Sequence, residues 1–276
     1  MTNNFEVYIQ NYLSSQKDNL ISKAMAYAMD AGKRFRPRII FSILEGMNID
    51  EALGYDGALA LEMIQTYSLI HDDLPAMDND DMRRGKPSLH KAFREDIAIL
   101  TGDELLTDAF RVVSCSDTYD DHTKVNIIKA LSTYAGSDGM IYGQLLDVTS
   151  DNKNIDKDKL IEIHDNKTAG LFKIACLIPM YIAKLDESEY FIKLGSMIGQ
   201  IFQNQDDLFD AIKSEEEMGK NLSDLKNNKL TALSLYTIEE LKELIDRQFD
   251  ELNNYLSKAS FNPDKLKELL FKLKNR

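Results

Sequence analysis

A helical run that ends in aspartates and leads directly into two arginines decides the fold of this chain: residues 62–86 read EMIQTYSLIHDDLPAMDNDDMRRGK. Upstream, residues 52–71 carry apolar side chains on nearly every side of a helix, which leaves little room for a solvent face. A helix of this kind belongs inside a bundle.

The aspartates lie where that helix has to stop. Pro75 disfavours helix at the residue before it, so Asp72 and Asp73 should occupy the helix end. Asp78 should lie on the loop that follows. Carboxylates at a helix C-terminus oppose the helix dipole at about 0.3–1 kcal/mol each, and a bound cation would reverse that cost.

A second acidic cluster closes another apolar helix in the second half of the chain. Asp206 and Asp210 are four residues apart, so both can face one metal ion from the same side of a helix. Two carboxylate clusters, with Arg83 and Arg84 directly after the first, make chemical sense if a metal-bound diphosphate lies between them.

Composition restricts the fold and the function class. Only 5 prolines and 13 glycines interrupt 276 residues, and apolar residues recur at helical spacing, which predicts an all-α fold in a single domain, residues 1–276. The net charge of −13 argues against a general nucleic-acid binder. The cations are locally concentrated instead, in the clusters 33–38 and 83–86.

Nothing in the sequence indicates a membrane or an oxidising compartment. The two cysteines, Cys115 and Cys176, are far apart and suggest buried, reduced thiols. No apolar run approaches the roughly 18 residues of a membrane span, and the first residues do not resemble a signal peptide. We therefore expect a cytoplasmic protein without stable membrane insertion.

Other helices follow from apolar periodicity and from breaker residues. Gly32 is expected to end the first helical region, and Pro37 to lie in the first turn of the next helix. Small and polar residues at 167–170 interrupt an otherwise apolar helix. The predicted helical segments are 3–31, 52–71, 94–114, 122–148, 158–185, 232–258 and 263–274, with a polar loop at 219–231.

Five motifs, in this order, resemble the trans-prenyltransferase family of polyprenyl diphosphate synthases, most closely the bacterial farnesyl diphosphate synthases. They are Gly32-Lys33-Arg34-Phe35-Arg36-Pro37; Asp72-Asp73-x-x-x-x-Asp78 with Arg83-Arg84-Gly85; Gly143-Gln144-x-x-Asp147; Lys167-Thr168; and Gln203-x-Gln205-Asp206-Asp207-x-x-Asp210. The resemblance implies an isoprenoid-synthase-type helical bundle around a deep central cavity, usually dimeric. Its activity would be the head-to-tail condensation of isopentenyl diphosphate with an allylic diphosphate, giving mainly farnesyl diphosphate.

The resemblance also implies roles for individual residues. Asp72 and Asp78 would ligate two Mg²⁺, and Asp206, helped by Asp210, a third. Arg83 would hold the allylic diphosphate. The other implied substrate-binding residues are Gly32, Lys33, Arg36, Gln65, Arg84, Lys167, Thr168, Gln203, Lys220 and Lys229, with Lys167 and Thr168 also among the catalytic residues.

The chemistry fits these residue types independently. Magnesium and charge-assisted contacts from lysine and arginine neutralise a departing diphosphate. The allylic cation that remains needs apolar walls with a few oriented oxygens, such as those of Thr168 and Gln203. The released diphosphate is the best base for the final proton, so no side-chain base is assigned.

Product length should be determined on the helix below Asp72. Ser68 is four residues back on nearly the same face, and Tyr67 is five back, about 7.5 Å deeper. Geometry alone favours Ser68 as the wall, whereas the resemblance makes Tyr67 the floor of a farnesyl-length cavity.

Several alternatives remain open at this point. A geranylgeranyl diphosphate synthase of the same family would carry the same motifs. A terpene cyclase shares the bundle and the magnesium, but has less need for Lys33, Arg36 and Arg84. A non-catalytic acidic helical scaffold has no need for both acidic and both basic clusters. His71 is either a base or ligand, or a structural residue that orients Asp72.

Overall fold

The computed structural model describes residues 2–30, 32–150, 156–218 and 231–274, and nearly all of its regular structure is helical. A short antiparallel hairpin pairs β1 (Met82–Arg83) with β2 (Lys86–Pro87), and 3₁₀ turns cover Glu51–Gly54 and Ala232–Ser234. The helices are α1 (Thr2–Ser14), α2 (Leu20–Met29), α3 (Phe35–Gly46), α4 (Tyr55–Asp72), α5 (Leu89–Ala92), α6 (Glu95–Ser114), α7 (Asp121–Ala135), α8 (Met140–Thr149), α9 (Lys157–Lys167), α10 (Ala169–Ile182), α11 (Ser188–Met218), α12 (Ile238–Leu256) and α13 (Asp264–Lys274).

The helices group into two compact units. Unit 1 comprises Met1–Lys129 with Ile178–Asp186, and unit 2 comprises Ala130–Leu177 with Glu187–Arg276. The expectation of one domain over residues 1–276 therefore stays a prediction.

Helix α4 is the central element of unit 1. It packs mainly against α6 and also contacts α2 and α3. Buried residues occur on every side of it between Gly57 and Ile70, which confirms the prediction of a helix without a solvent face. At its C-terminal end His71 lies against Gly102 of α6, where an added Cβ would come 2.1 Å from His71 Nε2.

The start of α3 contains a buried ion cluster that the sequence did not reveal. Arg34 is 3% exposed, and its guanidinium donates to Glu6 Oε1 at 2.8 Å, to Glu62 Oε2 at 2.9 Å and to the Met29 carbonyl at 2.6 Å. Arg34, although part of the basic cluster at 33–38, is therefore a buried structural residue. Gly32 makes room for it, since an added Cβ would lie 2.7 Å from Arg34 Nη1.

The helix boundaries confirm some predictions and correct others. Residues 3–31 form two helices, and Asp30 rather than Gly32 caps the second. The prediction of one helix over 122–148 is wrong, because a non-helical turn separates α7 from α8. Gly139 caps α8 at φ −154° and ψ −123°, where a Cβ would meet the Tyr134 carbonyl oxygen at 2.1 Å. The predicted helix 232–258 begins only at Ile238.

The two cysteines differ in their surroundings. Both are free thiols, and Cys176 is buried as expected. Cys115 is exposed, so the expectation of burial is wrong for it. It is the C-cap residue of α6.

Unit 2 is built around α11, which contacts α9 and α12. Close backbone approaches at two glycines hold the neighbouring helices in place. A Cβ on Gly143 of α8 would come 2.1 Å from the Lys167 backbone nitrogen, and one on Gly199 of α11 would come 2.4 Å from Ala169. Both positions therefore require a residue without a side chain.

The buried Arg34 cluster generates a stability prediction. Arg34→Leu should lower the free energy of unfolding by about 3–5 kcal/mol, because Glu62 would keep a buried charge without its partner. Urea unfolding monitored by circular dichroism measures this. Lys23→Ala is the control, since the Lys23–Asp18 pair is exposed on both sides and its loss should cost less than about 1 kcal/mol. Equal losses for the two variants would contradict the assignment of Arg34 to the core.

Candidate active site

The end of α4 brings the two predicted metal ligands together. The Asp78 backbone N–H donates to the Asp72 carbonyl oxygen at 2.8 Å, so the loop folds back onto the helix end. Asp72 is partly buried and Asp78 is exposed. The helix ends at Asp72 and Asp73 is its C-cap, as Pro75 predicts.

Asp73, the neighbour of Asp72, has a different role. It is 2% exposed and forms an ion pair with Arg83, whose Nε lies 3.0 Å from Asp73 Oδ1. Arg83 also reaches Asp80 Oδ2 at 3.3 Å. Burial raises the pKa of Asp73, whereas the Arg83 guanidinium lowers it. In this structure Arg83 is thus neutralised by carboxylates of its own chain.

The hairpin after the aspartates fixes the position of Arg84. Arg84 and Gly85 form its two-residue turn with φ +53° and +78°, the left-handed pair of a type I′ turn. Lys86 Nζ donates to the Tyr27 carbonyl oxygen at 2.6 Å, and the Tyr27 hydroxyl donates to Pro87 O at 2.8 Å. The turn is therefore held between the end of α4 and helix α2.

Two cations of the predicted diphosphate site, Lys33 and Arg84, form no ion pair in the described part of the chain. Both residues are exposed. Arg36 is partly buried in the first turn of α3, where backbone amides favour anions. Gln65 Oε1 is buried in α4 with no hydrogen-bond partner among the residues that the structure describes.

The side chains that precede Asp72 on α4 differ in how they are held. Tyr67 is 6% exposed, and its ring meets the His71 ring edge-on at a centroid distance of 5.8 Å. Burial, together with the negative charge of Asp72, raises the pKa of Tyr67 to about 12. Ser68 is partly exposed and donates to the Gln65 carbonyl oxygen at 3.0 Å. His71 Nε2 lies 3.2 Å from the Ile99 carbonyl oxygen, which supports the structural reading of this histidine.

Unit 2 holds the predicted lysine and threonine at a helix break. Helix α9 ends at Lys167, Thr168 caps it, and α10 begins at Ala169, as the interrupted apolar pattern indicates. Lys167 forms an ion pair with Asp147 of α8. Thr168 is 9% exposed, and its hydroxyl donates to Gln203 Oε1 at 2.6 Å.

The second acidic cluster lies within α11, which continues to Met218, so the prediction that this cluster closes its helix is wrong. Its carboxylates have distinct surroundings. Asp207 is 5% exposed, and it accepts from Gln203 Nε2 at 2.8 Å and from the Ala232 N–H at 2.7 Å. Burial raises its pKa. Asp206 is partly buried and Asp210 is exposed, one helical turn further along.

These donors fit magnesium, which takes one or two carboxylates and keeps its other positions for water and substrate phosphate. If the predicted roles hold, Asp72 and Asp78 would supply hard oxygen ligands in unit 1, and Asp206 and Asp210 would supply them in unit 2. Within the described residues, no group of three acidic, histidine or cysteine side chains forms a complete metal cluster. The remaining ligands would therefore have to come from the substrate and from water.

Sequence reasoning missed the residues that support these groups. Apart from its position beside Asp72, nothing in the sequence indicates that Asp73 is buried and paired with Arg83. Asp147 lies in the Gly143-Gln144-x-x-Asp147 motif, but no spacing rule in the sequence indicates its pairing with Lys167. Asp207 had a usable signal, because Gln203 and Asp207 are four residues apart on one helix. The predicted Lys220 and Lys229 lie outside the described residues.

A solved structure shares this fold, and two relatives are similar to this chain in sequence. A geranyltransferase from Helicobacter pylori, in complex with magnesium and isoprenyl diphosphate, superimposes with a TM-score of 0.85 at 30% identity, over 99% of this chain and 96% of its own. A farnesyl diphosphate synthase of Micrococcus luteus is 40% identical over 91% of this chain and 87% of its own. An Arabidopsis thaliana chloroplastic geranylgeranyl pyrophosphate synthase is 38% identical over 91% of this chain and 74% of its own.

The fold is therefore that of the isoprenoid synthases, which confirms the predicted all-α class. The polyprenyl synthetase family model matches residues 18–273, so this chain belongs to the polyprenyl synthetase family. The predicted prenyltransferase activity is confirmed with it. In the described part of the chain, no helix combines the length and the apolar character that crossing a membrane requires.

A buried histidine in unit 2 predicts a pH effect on stability. His164 is 7% exposed, and burial lowers its pKa from 6.5 to about 4. The unfolded chain therefore binds the proton first. The stability that His164 contributes is complete above pH 6.5 and decreases by up to about 3 kcal/mol as the pH falls towards 4.

Chemical denaturation at several pH values tests this effect. His164→Gln should lose less stability between pH 7 and 4 than the parent protein does. The control His122→Gln, at an exposed histidine, should keep the parent's dependence. Parallel pH curves for the parent and His164→Gln would show that His164 is not the responsible group.

Proposed function

We propose that this chain condenses isopentenyl diphosphate head to tail with dimethylallyl and then geranyl diphosphate, giving mainly farnesyl diphosphate. The observation that carries the proposal is the end of α4. There the Asp78 N–H folds back onto Asp72, and the hairpin places Arg84 beside this acidic loop. The names of the Micrococcus luteus and Helicobacter pylori proteins support the substrate class.

The metal ligands are two carboxylate pairs. Asp72 and Asp78 would hold two Mg²⁺, and Asp206 with Asp210 would hold a third, with the substrate diphosphate completing each coordination shell. When bound, magnesium neutralises the charge that develops on the departing diphosphate. A bound cation would explain why Asp72 stands at the C-terminal end of α4, which disfavours a negative charge.

The cations would divide between two diphosphates. Lys33, Arg36 and Arg84, with Gly32 and Gln65 beside them, would bind isopentenyl diphosphate. Lys33 and Arg84 suit this role because they have no ion-pair partner among the described residues. Arg83, Lys167, Thr168, Gln203, Lys220 and Lys229 would bind the allylic diphosphate, and Arg83 would exchange its contacts to Asp73 and Asp80 for phosphate oxygens.

The same groups account for the chemistry after the bond to the diphosphate breaks. Thr168 and Gln203 offer oxygen atoms to an allylic cation, and neither carries a negative charge that would trap it covalently. The isopentenyl double bond attacks the cation, and the released diphosphate takes the proton. No side-chain base is needed.

A homodimer is part of the proposal. The resemblance implies it, and Ile99 and Leu100 of α6 are neighbouring apolar residues with 40% and 53% exposure. A partner subunit would cover such exposed apolar side chains. We also propose a cytoplasmic location, in keeping with two cysteines that are both free thiols.

The principal alternative is a geranylgeranyl diphosphate synthase, and the Arabidopsis thaliana relative favours keeping it open. The two activities differ in whether farnesyl diphosphate is a product or a primer. Incubating the protein with labelled isopentenyl diphosphate and dimethylallyl, geranyl or farnesyl diphosphate distinguishes them. No condensation with any primer would refute the proposed function, and a cyclic hydrocarbon product would indicate a terpene cyclase.

Removing a metal ligand should stop turnover. Asp72→Asn should lower kcat at least about 100-fold, because an amide no longer neutralises the metal that stabilises the leaving diphosphate. Chelation of Mg²⁺ should abolish the parent activity. Asp250→Asn, at an exposed position of α12, is the matched control and should keep the parent kcat. An active Asp72→Asn protein would exclude Asp72 as a metal ligand.

Tyr67 should limit product length. Tyr67→Ala removes a buried ring that precedes Asp72 on α4 and should give products longer than fifteen carbons, which mass spectrometry of the dephosphorylated products detects. Ser68→Ala is the control and should leave the product unchanged, since the Ser68 hydroxyl is already bonded to the Gln65 carbonyl. A longer product from Ser68→Ala alone would assign the wall to Ser68.

A further inference from the structure

A chain of hydrogen bonds in unit 2 connects a buried carboxylate to a proposed catalytic hydroxyl. Asp207 accepts from Gln203 Nε2 at 2.8 Å, and Gln203 Oε1 accepts from Thr168 Oγ1 at 2.6 Å. Asp207 and Thr168 are 5% and 9% exposed. The geometry therefore links three side chains, of which Asp207 has no role in the proposed mechanism.

The direction of both hydrogen bonds follows from the one that Asp207 accepts from Gln203. A carboxylate only accepts, and the Asp207 Oδ2 atom already accepts from the Ala232 N–H at 2.7 Å. The Gln203 amide must therefore turn its NH₂ group towards Asp207 and its oxygen towards Thr168. Facing an acceptor, the Thr168 hydroxyl has to donate its only proton.

This direction decides what Thr168 can offer to anything else. Once its proton is committed to Gln203, the Thr168 oxygen presents only lone pairs to a third group. Lone pairs stabilise a neighbouring positive charge, whereas an O–H dipole pointing at the same place would oppose it. A reversed chain would leave the proton of Thr168 free to point at the reacting group.

We propose that Asp207 is a positioning residue that sets the direction of the hydrogen bonds from Thr168 through Gln203. Thr168 then meets the allylic cation as a pure electron-pair donor. The proposal rests on the proposed function, because it assigns a reason for the orientation of Thr168 in that reaction. Asp207 acts through Gln203, to which it is hydrogen-bonded, and not by touching the substrate itself in this proposal.

The first test reverses the polarity with a nearly isosteric change. In Asp207→Asn the new amide oxygen can keep the Ala232 N–H, but its NH₂ group then faces Gln203. The Gln203 amide has to turn over, and Thr168 becomes the acceptor. We expect kcat to fall about 10- to 100-fold with the KM of both diphosphates changed less than about threefold, since the defect concerns the cation and not substrate binding.

A second change should restore the polarity. In the double variant Asp207→Asn/Gln203→Glu, the carboxylate introduced at position 203 accepts both from the amide NH₂ introduced at position 207 and from the Thr168 hydroxyl, and the total charge is that of the parent. Gln203→Glu alone sets two carboxylates against each other and should be the least active. We expect the double variant to exceed each single variant at least about fivefold in kcat. The comparison with Gln203→Glu alone holds even if Asp207→Asn does not fold.

The third test asks whether the effect passes through Thr168. In a Thr168→Val background there is no hydroxyl to orient, so Asp207→Asn should lower kcat less than about threefold further. Thermal unfolding of every variant checks that the proteins are folded at the assay temperature. Two results would overturn the proposal while the unsubstituted enzyme remained active. One is an equal loss of kcat from Asp207→Asn in the Thr168→Val background and in the parent protein. The other is a double variant whose kcat does not exceed that of either single variant. A parent protein that condenses no primer would overturn the proposed function and this inference together.

Discussion

The candidate site in unit 1 depends on the ion pair between Asp73 and Arg83. It buries one carboxylate of an adjacent pair and fixes the first strand of the hairpin to the end of α4. The left-handed turn at Arg84 and Gly85 then follows within one residue of that anchor. The segment between Asp73 and Lys86 is also held by the Asp78 N–H to Asp72 carbonyl bond and by the contact of Lys86 with Tyr27, but it is the Asp73–Arg83 pair that joins β1 to the end of α4 by an ion pair.

The two acidic clusters divide their carboxylates in the same way. Successive residues of a helix point about 100° apart, so two adjacent aspartates cannot share one environment. Asp73 and Asp207 are the buried members, and each accepts hydrogen bonds from its own chain. Asp72 and Asp206 are more exposed. Each double aspartate thus combines a structural carboxylate with a proposed metal ligand, and a single aspartate could not supply both functions.

The sequence predicts elements whose signals are local. The all-apolar α4, its termination before Pro75 and the break at Thr168 are of this kind, because side-chain periodicity and proline act within one or two turns. The predicted helix 122–148 is interrupted because Gly139 caps α8, and apolar periodicity does not distinguish such a cap from a residue inside a helix. At this cap the Tyr134 carbonyl approaches Gly139 closely. The spacing of apolar residues in the sequence does not indicate such a contact. Tertiary contacts likewise divide the basic segment 33–38, which reads as a uniform patch. Arg34 is buried against Glu6 and Glu62, each 28 residues away in sequence, and no spacing rule for a single helix connects them.

Only some of the cations near the proposed site are available to a diphosphate, and this is a reason for the protein to require a metal ion. Arg34 and Arg83 are neutralised by carboxylates of the chain, whereas Lys33 and Arg84 have no such partner among the described residues. Two diphosphate groups carry more negative charge than these side chains can balance, and the chain as a whole has a net charge of −13. The surrounding field therefore repels the proposed substrates unless divalent cations accompany them. Magnesium dependence is, for this reason, an electrostatic requirement of an acidic protein that binds polyanions, before any role of the metal in breaking a bond is considered.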